Sequence, residues 1–264
     1  MTESAQTLQF YKSVFDWASA RLSKEESGFL FGINGPQGCG KTTLTKALCE
    51  MFAAKGKKAI TISIDDFYLT RSEQKRLAAE HPNNPYLQQR GYPGTHDIEL
   101  GARTLRSLKH ADMSVTIPRY DKSAHQGQGD RAPESEWTHV DGAPDVVFVE
   151  GWMLGYTPVE KKKLPNEHIA EINRQLEGYE AWHKQLDAFL QLAPEDYRYV
   201  LDWRVEAEQK MRASGKPGMS DPEIRAYVEK FLPAYETYLP RLEKKPPIMR
   251  NRQRIVIGRD RLPV

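Results

Sequence analysis

Disulfide chemistry, membrane segments and an excess of one charge are all missing from this chain of 264 residues. Its two cysteines, Cys39 and Cys49, are too few for a disulfide framework, so a reducing cytoplasm is the economical expectation. No apolar run approaches the ~20 residues that a membrane-spanning helix needs. The opening Met1-Thr2-Glu3-Ser4 is polar and acidic and lacks the basic-then-apolar order of a secretory signal. Lysine and arginine (38) nearly balance aspartate and glutamate (36), leaving +2. That balance argues against nucleic acid as a bulk electrostatic partner, and no membrane partner is expected either. The run Lys161-Lys162-Lys163 reads as a solvated loop edge. Internal repeats, low-complexity segments and linkers are absent.

What is present begins with Gly35-Pro36-Gln37-Gly38-Cys39-Gly40-Lys41-Thr42, the complete phosphate-loop spacing G-x-x-x-x-G-K-[ST]. Its glycines let successive backbone N–H groups turn inward around a phosphate, where side chains would block the approach. Lys41 is placed to reach the β/γ-phosphates and the Thr42 hydroxyl to ligate Mg²⁺. An apolar strand pattern over 29–34 precedes the loop, and a helical pattern begins at Thr43, so a helix dipole adds to the anion site. Residues 35–43 are thus the nucleotide-binding set. Cys39 borders that site, which would lower its thiol pKa, but a small space-filling role is the favoured reading.

Elsewhere the pattern alternates strand and helix. An apolar stripe over 5–22 predicts a leading helix packed on the domain. Ile60, Ile62 and Ile64 alternate along a strand from 58 to 64 that ends in Asp65-Asp66. Ser72 is placed to cap a helix to about 79, and another helix is expected from 97 to 108. Turn-rich loops cover 81–96 and 119–133, with a short strand between them at 115–117. Asp145-Val146-Val147-Phe148-Val149-Glu150 reads as a buried parallel strand. A long helix is expected over 166–192, a strand over 197–203, a charged helix over 203–213 and a flexible turn at 215–218. Ser220-Asp221-Pro222-Glu223 makes a capping box opening a helix to about 232, and 254–257 is a last strand. The expectation is a doubly wound, mainly parallel α/β sheet with helices on both faces, formed by one domain over 29–264 after an N-terminal segment 1–28.

In such sheets ligands sit at the carboxyl ends of the strands. There the sequence delivers the phosphate loop, Asp65-Asp66 and Glu150. Phosphoryl transfer needs a phosphate cradle, metal ligands and a carboxylate beside the acceptor hydroxyl. Glu150, directly after a buried strand, is the candidate for the metal shell. Either Asp65 or Asp66 is the candidate base. The 119–131 segment gathers Arg119, Lys122 and Arg131 but by composition alone reads as a solvated face. The helix bearing Arg204, Lys210 and Arg212 is either a lid over the nucleotide or an ordinary charged surface helix.

Several longer motifs go beyond a bare phosphate loop: Ser63-Ile64-Asp65-Asp66-Phe67-Tyr68-Leu69-Thr70, Arg90-Gly91-Tyr92-Pro93-Gly94-Thr95-His96-Asp97, Tyr120-Asp121-Lys122-Ser123, Gly129-Asp130-Arg131 and Glu150-Gly151-Trp152-Met153-Leu154-Gly155. Gln209-Lys210-Met211-Arg212, the stretch 215–221, Pro233-Ala234-Tyr235 and Tyr238-Leu239-Pro240 follow them in order. From about residue 29 to 243 the chain resembles the plant-type D-glycerate 3-kinases, a branch of the phosphoribulokinase/uridine kinase/pantothenate kinase superfamily. That resemblance implies transfer of the ATP γ-phosphate, with Mg²⁺, to a hydroxyl of D-glycerate, giving 3-phosphoglycerate. It selects Asp65 as the base, with a share in the metal shell, and maps lid arginines onto Arg204 and Arg212 in a lid at about 203–220. It also raises the 119–131 loop to an acceptor site, to which Asp66, Tyr68, Arg90, His96, Arg119, Tyr120, Lys122 and Arg131 are assigned. The alternative is a kinase of the same fold for another small hydroxylated metabolite or a nucleoside, in the manner of uridine or pantothenate kinases. A phosphate-loop switch without a small-molecule acceptor would need neither the acid after the second strand nor the cationic loop.

Overall fold

Two apolar hexapeptides, Phe29–Asn34 (β1) and Val146–Gly151 (β7), are buried at every position and pair in parallel, with Ile33 opposite Glu150. The computed structural model describes residues 4–22, 28–110, 114–213, 215 and 219–264. In chain order the remaining elements are α1 (Ala5–Ser19), α2 (Lys41–Ala53), β2 (Ala59–Ser63), α3 (Arg71–Glu80), α4 (Ile98–Lys109), β3 (Val115–Ile117), β4 (Tyr120–Asp121), β5 (Asp130–Arg131) and β6 (Thr138–Val140). After β7 come α5 (Glu167–Gln175), α6 (Glu180–His183), β8 (Ala188–Pro194), α7 (Tyr199–Ala213), α8 (Asp221–Glu229), α9 (Leu232–Lys244) and β9 (Arg252–Ile257). Five strands form one parallel sheet in the order β2-β7-β1-β8-β9. Strands β3 with β6 and β4 with β5 make small antiparallel pairs outside it.

Apolar runs without alternation suit strands covered by helices on both faces. On one side Phe52 of α2 packs at 5.9 Å from Phe148 of β7, and Phe15 of α1 packs at 4.8 Å from Phe52. Trp17 of α1 meets Phe31 of β1 edge-on at 5.1 Å. The leading helix is thereby tied to the sheet. Ser4 caps α1 by accepting the Thr7 N–H. Among the described residues, no helix is long and apolar enough to cross a membrane.

Four departures from the sequence reading stand out. The long helix expected over 166–192 is instead α5, a 3₁₀ turn Leu176–Tyr179, the short α6 and then strand β8. An apolar strand buried on both faces carries no alternation, so Phe189, Leu190 and Leu192 read as a continuation of the helical spacing. The strand expected at 197–203 is the first turn of α7, whose Val200 and Trp203 share an i,i+3 face turned inward. Helix α3 is capped by Thr70, not Ser72, through a capping box with Glu73. The capping box at Ser220 and Glu223 forms as expected, but its helix stops at Glu229 and a separate α9 follows, unforeseen, with Pro233 in its first turn. Of the turn expected at 215–218, residues 216–218 lie outside the described residues.

Candidate active site

Helix α2 begins directly after Gly40, whose φ of +95° suits glycine and which offers no side-chain cap. The first-turn N–H groups of α2 therefore face the loop with nothing but backbone at the helix N-cap. At Gly38 (φ +79°) a Cβ would come within 2.7 Å of Trp203 Cβ on α7, so only glycine lets α7 lie against the loop. The Lys41 ammonium donates to the carbonyls of Gly35 (2.8 Å) and Pro36 (3.1 Å) and stands 3.9 Å from the Glu150 carboxylate. Thr42 donates to the other Glu150 oxygen at 3.3 Å. Burial pushes the Glu150 carboxyl up, while Lys41 opposes the shift. A hydroxyl and a carboxylate side by side at a phosphate loop are a hard-oxygen donor pair that fits Mg²⁺, which completes its shell with phosphates and water. Thr43, in the first turn of α2, is exposed. The Cys39 thiol is buried and pushed up by that burial, in keeping with a space-filling role.

Strand β2 brings the second acid to the same edge, since Ser63 pairs in register with Glu150. The chain then turns through a 3₁₀ segment, Ile64–Phe67, capped by the Ser63 hydroxyl. Within it the two aspartates separate. Asp65 Oδ2 accepts from Lys122 Nζ at 2.5 Å, whereas Asp66 Oδ1 accepts the Tyr120 N–H at 3.2 Å. Burial pushes the Asp65 carboxyl up, but Lys122, helped by the Tyr68 hydroxyl, outweighs it and leaves the carboxyl below its usual range. Burial raises Asp66, with the neighbouring Asp65 charge adding to it against the Tyr120 N–H. The motif at 90–97 docks on this turn backbone to backbone: Leu69 N–H to Thr95 C=O at 3.0 Å, Asp97 N–H to Phe67 C=O at 2.7 Å, and the Tyr68 ring on His96 at 4.3 Å.

Cations of the 119–131 loop have different surroundings. Arg131 donates to the Tyr68 carbonyl (3.0 Å) and to Asp97 (3.2 Å), pinning β5 to the helix cap of α4. Arg90 straps the loop from outside through the carbonyls of Gly127, Gln128 and Lys122, its guanidinium 5.6 Å from the Tyr120 ring centroid. Arg119 is exposed, its carbonyl accepting the Ala132 N–H. Only Lys122 among these points at the Asp65 carboxylate.

Arg204 pairs with Glu208, which is 1% exposed and also accepts the Met219 N–H at 2.9 Å. Arg212 pairs with Asp221 at 3.3 Å. Arg212 thus joins α7 to the start of α8, while the Arg204 pair lies within α7 and Glu208 ties that helix to Met219 just before α8. The Arg204 guanidinium also lies 5.0 Å from the ring of Tyr227 on α8, and Tyr227 feels the charges of Arg204, Asp65, Lys122 and Arg90 together. Tyr227 carries no motif and was not foreseen. Arg261 was missed too: from beyond β9 it donates to the Gly38 carbonyl at 2.8 Å and pairs with Glu206. Tyr235, quoted only within a family motif, brackets Gln37, accepting its N–H at 3.2 Å and donating to its side-chain oxygen at 2.6 Å.

Comparison with known proteins finds relatives along most of the chain. The model of the phosphoribulokinase / uridine kinase family matches residues 30–163. The chloroplastic D-glycerate 3-kinase of Arabidopsis thaliana is 38% identical over 99% of this chain, which spans 61% of that relative's length. An uncharacterised kinase of Schizosaccharomyces pombe is 36% identical over 89% of this chain and 90% of its own. A solved D-glycerate 3-kinase from Cryptococcus neoformans superimposes with a TM-score of 0.85 at 32% identity, covering 98% of this chain and 96% of that one.

Proposed function

Because this chain belongs to the phosphoribulokinase / uridine kinase family, we propose that it transfers the γ-phosphate of ATP to a hydroxyl of D-glycerate, giving 3-phosphoglycerate and ADP. The observation that carries this reading is the pair of acids at adjacent strand ends. Glu150 lies against Lys41 and Thr42 of the phosphate loop, and Asp65, one strand over, is held by Lys122 of the cationic loop. Two relatives, one of them a solved structure of similar fold, are named for glycerate, which supplies the acceptor.

Asp65 takes the proton of the acceptor hydroxyl as its oxygen bonds to the γ-phosphorus, and the bond from that phosphorus to the β,γ-bridging oxygen breaks. A carboxyl kept below its usual range is ionised at neutral pH and ready to accept. Lys122 has a second use: a substrate carboxylate entering beside Asp65 competes for the same ammonium, which leaves Asp65 free. Lys41 holds the β/γ-phosphates. Mg²⁺ would be held by Thr42 and Glu150, with Asp65 the next oxygen along the edge, and when bound it neutralises developing phosphate charge. Arg204 and Arg212 belong to a lid at about 203–220 that closes over the nucleotide, and 29–264 acts as one kinase domain behind the 1–28 segment. Tyr68, His96, Tyr120 and Asp66 shape the acceptor pocket, and Arg90, Arg119 and Arg131 supply its positive field. The unpaired thiols of Cys39 and Cys49 favour the cytoplasm.

A coupled ADP-release assay across D-glycerate, other small hydroxy acids, uridine and pantothenate decides the substrate. Turnover with glycerate far above the rest is expected. Preference for a nucleoside or pantothenate would replace glycerate with that acceptor, and ATP hydrolysis indifferent to every acceptor would remove the kinase reading.

A further inference from the structure

His96 is 4% exposed, and among the described residues its Nε2 has no hydrogen-bond partner. Its other ring nitrogen has one. The Tyr179 hydroxyl lies 2.7 Å from Nδ1 and already accepts the Gly94 N–H at 3.0 Å. If His96 donated from Nδ1, the buried Tyr179 proton would have no acceptor and the Nε2 lone pair no donor. If Tyr179 donates to Nδ1, its proton and the Nδ1 lone pair satisfy each other, and the ring hydrogen sits on Nε2, where it waits for an acceptor. Burial holds the ring neutral, pushing its pKa down to about 3.

The surroundings of this N–H are apolar on most sides. The ring stacks on Tyr68 at 4.3 Å and meets Tyr179 and Trp182 edge-on at 5.6 and 5.7 Å. Asp65 is the charged group whose field reaches it, and the Tyr68 hydroxyl bonds the same carboxylate. An antiparallel bridge between Tyr68 and His96 fixes the spacing of the two motifs. A buried N–H left without an acceptor is costly unless an acceptor arrives during function.

We propose that Tyr179 fixes His96 as the Nε2–H tautomer and that this N–H is held for the Asp65 carboxylate, which it engages when Lys122 turns from Asp65 to the substrate. The exchange keeps Asp65 oriented after its lysine partner leaves. Tyr179 and His96 are positioning residues that act through Asp65, and the inference rests on the reading of Asp65 as the base.

The test is ¹⁵N-histidine NMR, with His96 assigned from His96→Gln. In the unmodified protein the expected pattern is a proton on Nε2 and an acceptor-type Nδ1. In Lys122→Met, which frees Asp65 without any substrate, the His96 Nε2–H resonance should shift downfield, and the shift should vanish in Lys122→Met/Asp65→Asn. A proton on Nδ1, or an Nε2–H unmoved by Lys122→Met, overturns the proposal. In turnover, His96→Leu and Tyr179→Phe should lower kcat about tenfold with little change in either KM, from the loss of a hydrogen bond to a charged group. His96→Gln, which keeps a donor at the Nε2 position, should recover most of that loss, and equal loss in the Gln and Leu variants counts against the proposal. The spectra need no turnover, so failure of the glycerate assay would remove the substrate and leave this inference standing on its own readout.

Discussion

Lys122 holds the Asp65 carboxylate at 2.5 Å across 57 positions of sequence, while Asp66, next in the chain, takes the Tyr120 N–H instead. A 3₁₀ turn rather than a continuing strand separates the two aspartates. It turns one acid to Lys122 and the other to the backbone of β4.

The two aspartates should therefore differ sharply on substitution. Asparagine preserves shape but accepts no proton, so Asp65→Asn should lower kcat by roughly 10²–10⁴. Asp66→Asn should cost far less in kcat and appear mainly as a lower melting temperature, as the Tyr120 contact weakens. Steady-state kinetics beside thermal melts check both, and an inactive Asp66→Asn with a normal Asp65→Asn would reverse the roles.

At the phosphate loop, Lys41→Ala removes the cation proposed to hold the β/γ-phosphates. A fall in kcat/KM of roughly 10²–10³ is expected, with an unchanged circular dichroism spectrum. Glu150→Gln should move the Mg²⁺ dependence of turnover to higher concentration. A metal titration identical to that of the unmodified enzyme would reduce Glu150 to a support for Lys41 and Thr42.

Lys122 and Arg131 should separate in the same way. The Arg131 guanidinium is taken up by Tyr68 and Asp97, so Arg131→Ala should lower the melting temperature as well as activity. Lys122→Met should raise the KM for glycerate about tenfold or more, the usual loss for a charge-assisted contact, with the KM for ATP nearly unchanged. Equal effects on both substrates would place Lys122 outside the acceptor site.

Acid should destabilise the fold through its buried histidines. His183 accepts the Gly155 N–H at 2.9 Å and is pushed down to about 4 by burial, against an ordinary 6.5, and His96 to about 3. Below pH 6.5 the unfolded chain binds protons that the folded one refuses. Stability from this source is complete above 6.5 and falls by about 1.4 kcal/mol per pH unit for each histidine, down to about pH 4 for His183 and pH 3 for His96. Denaturant melts between pH 7 and 4 measure the slope, and His183→Gln should flatten it. An unaltered slope in that variant would assign the acid loss to other groups.

The sequence by itself determined the phosphate loop, the leading helix, the capping box at Ser220 and the two buried strands beside the site. Each rests on local signals: glycine spacing, a 3.6-residue stripe, a cap, an unbroken apolar run. Strand β8 escaped because burial on both faces erases the alternation that marks a strand, and the start of α7 escaped because its aromatic residues resemble a strand until Trp203 is seen against Gly38. Separation of Asp65 from Asp66, the ties of Arg90 and Arg131 to backbone carbonyls, and the arrival of Tyr227, Tyr235 and Arg261 were decided by tertiary structure alone. Those contacts join residues dozens to hundreds of positions apart, and whether a cation meets a carboxylate or a carbonyl depends on which loops the sheet brings to one edge.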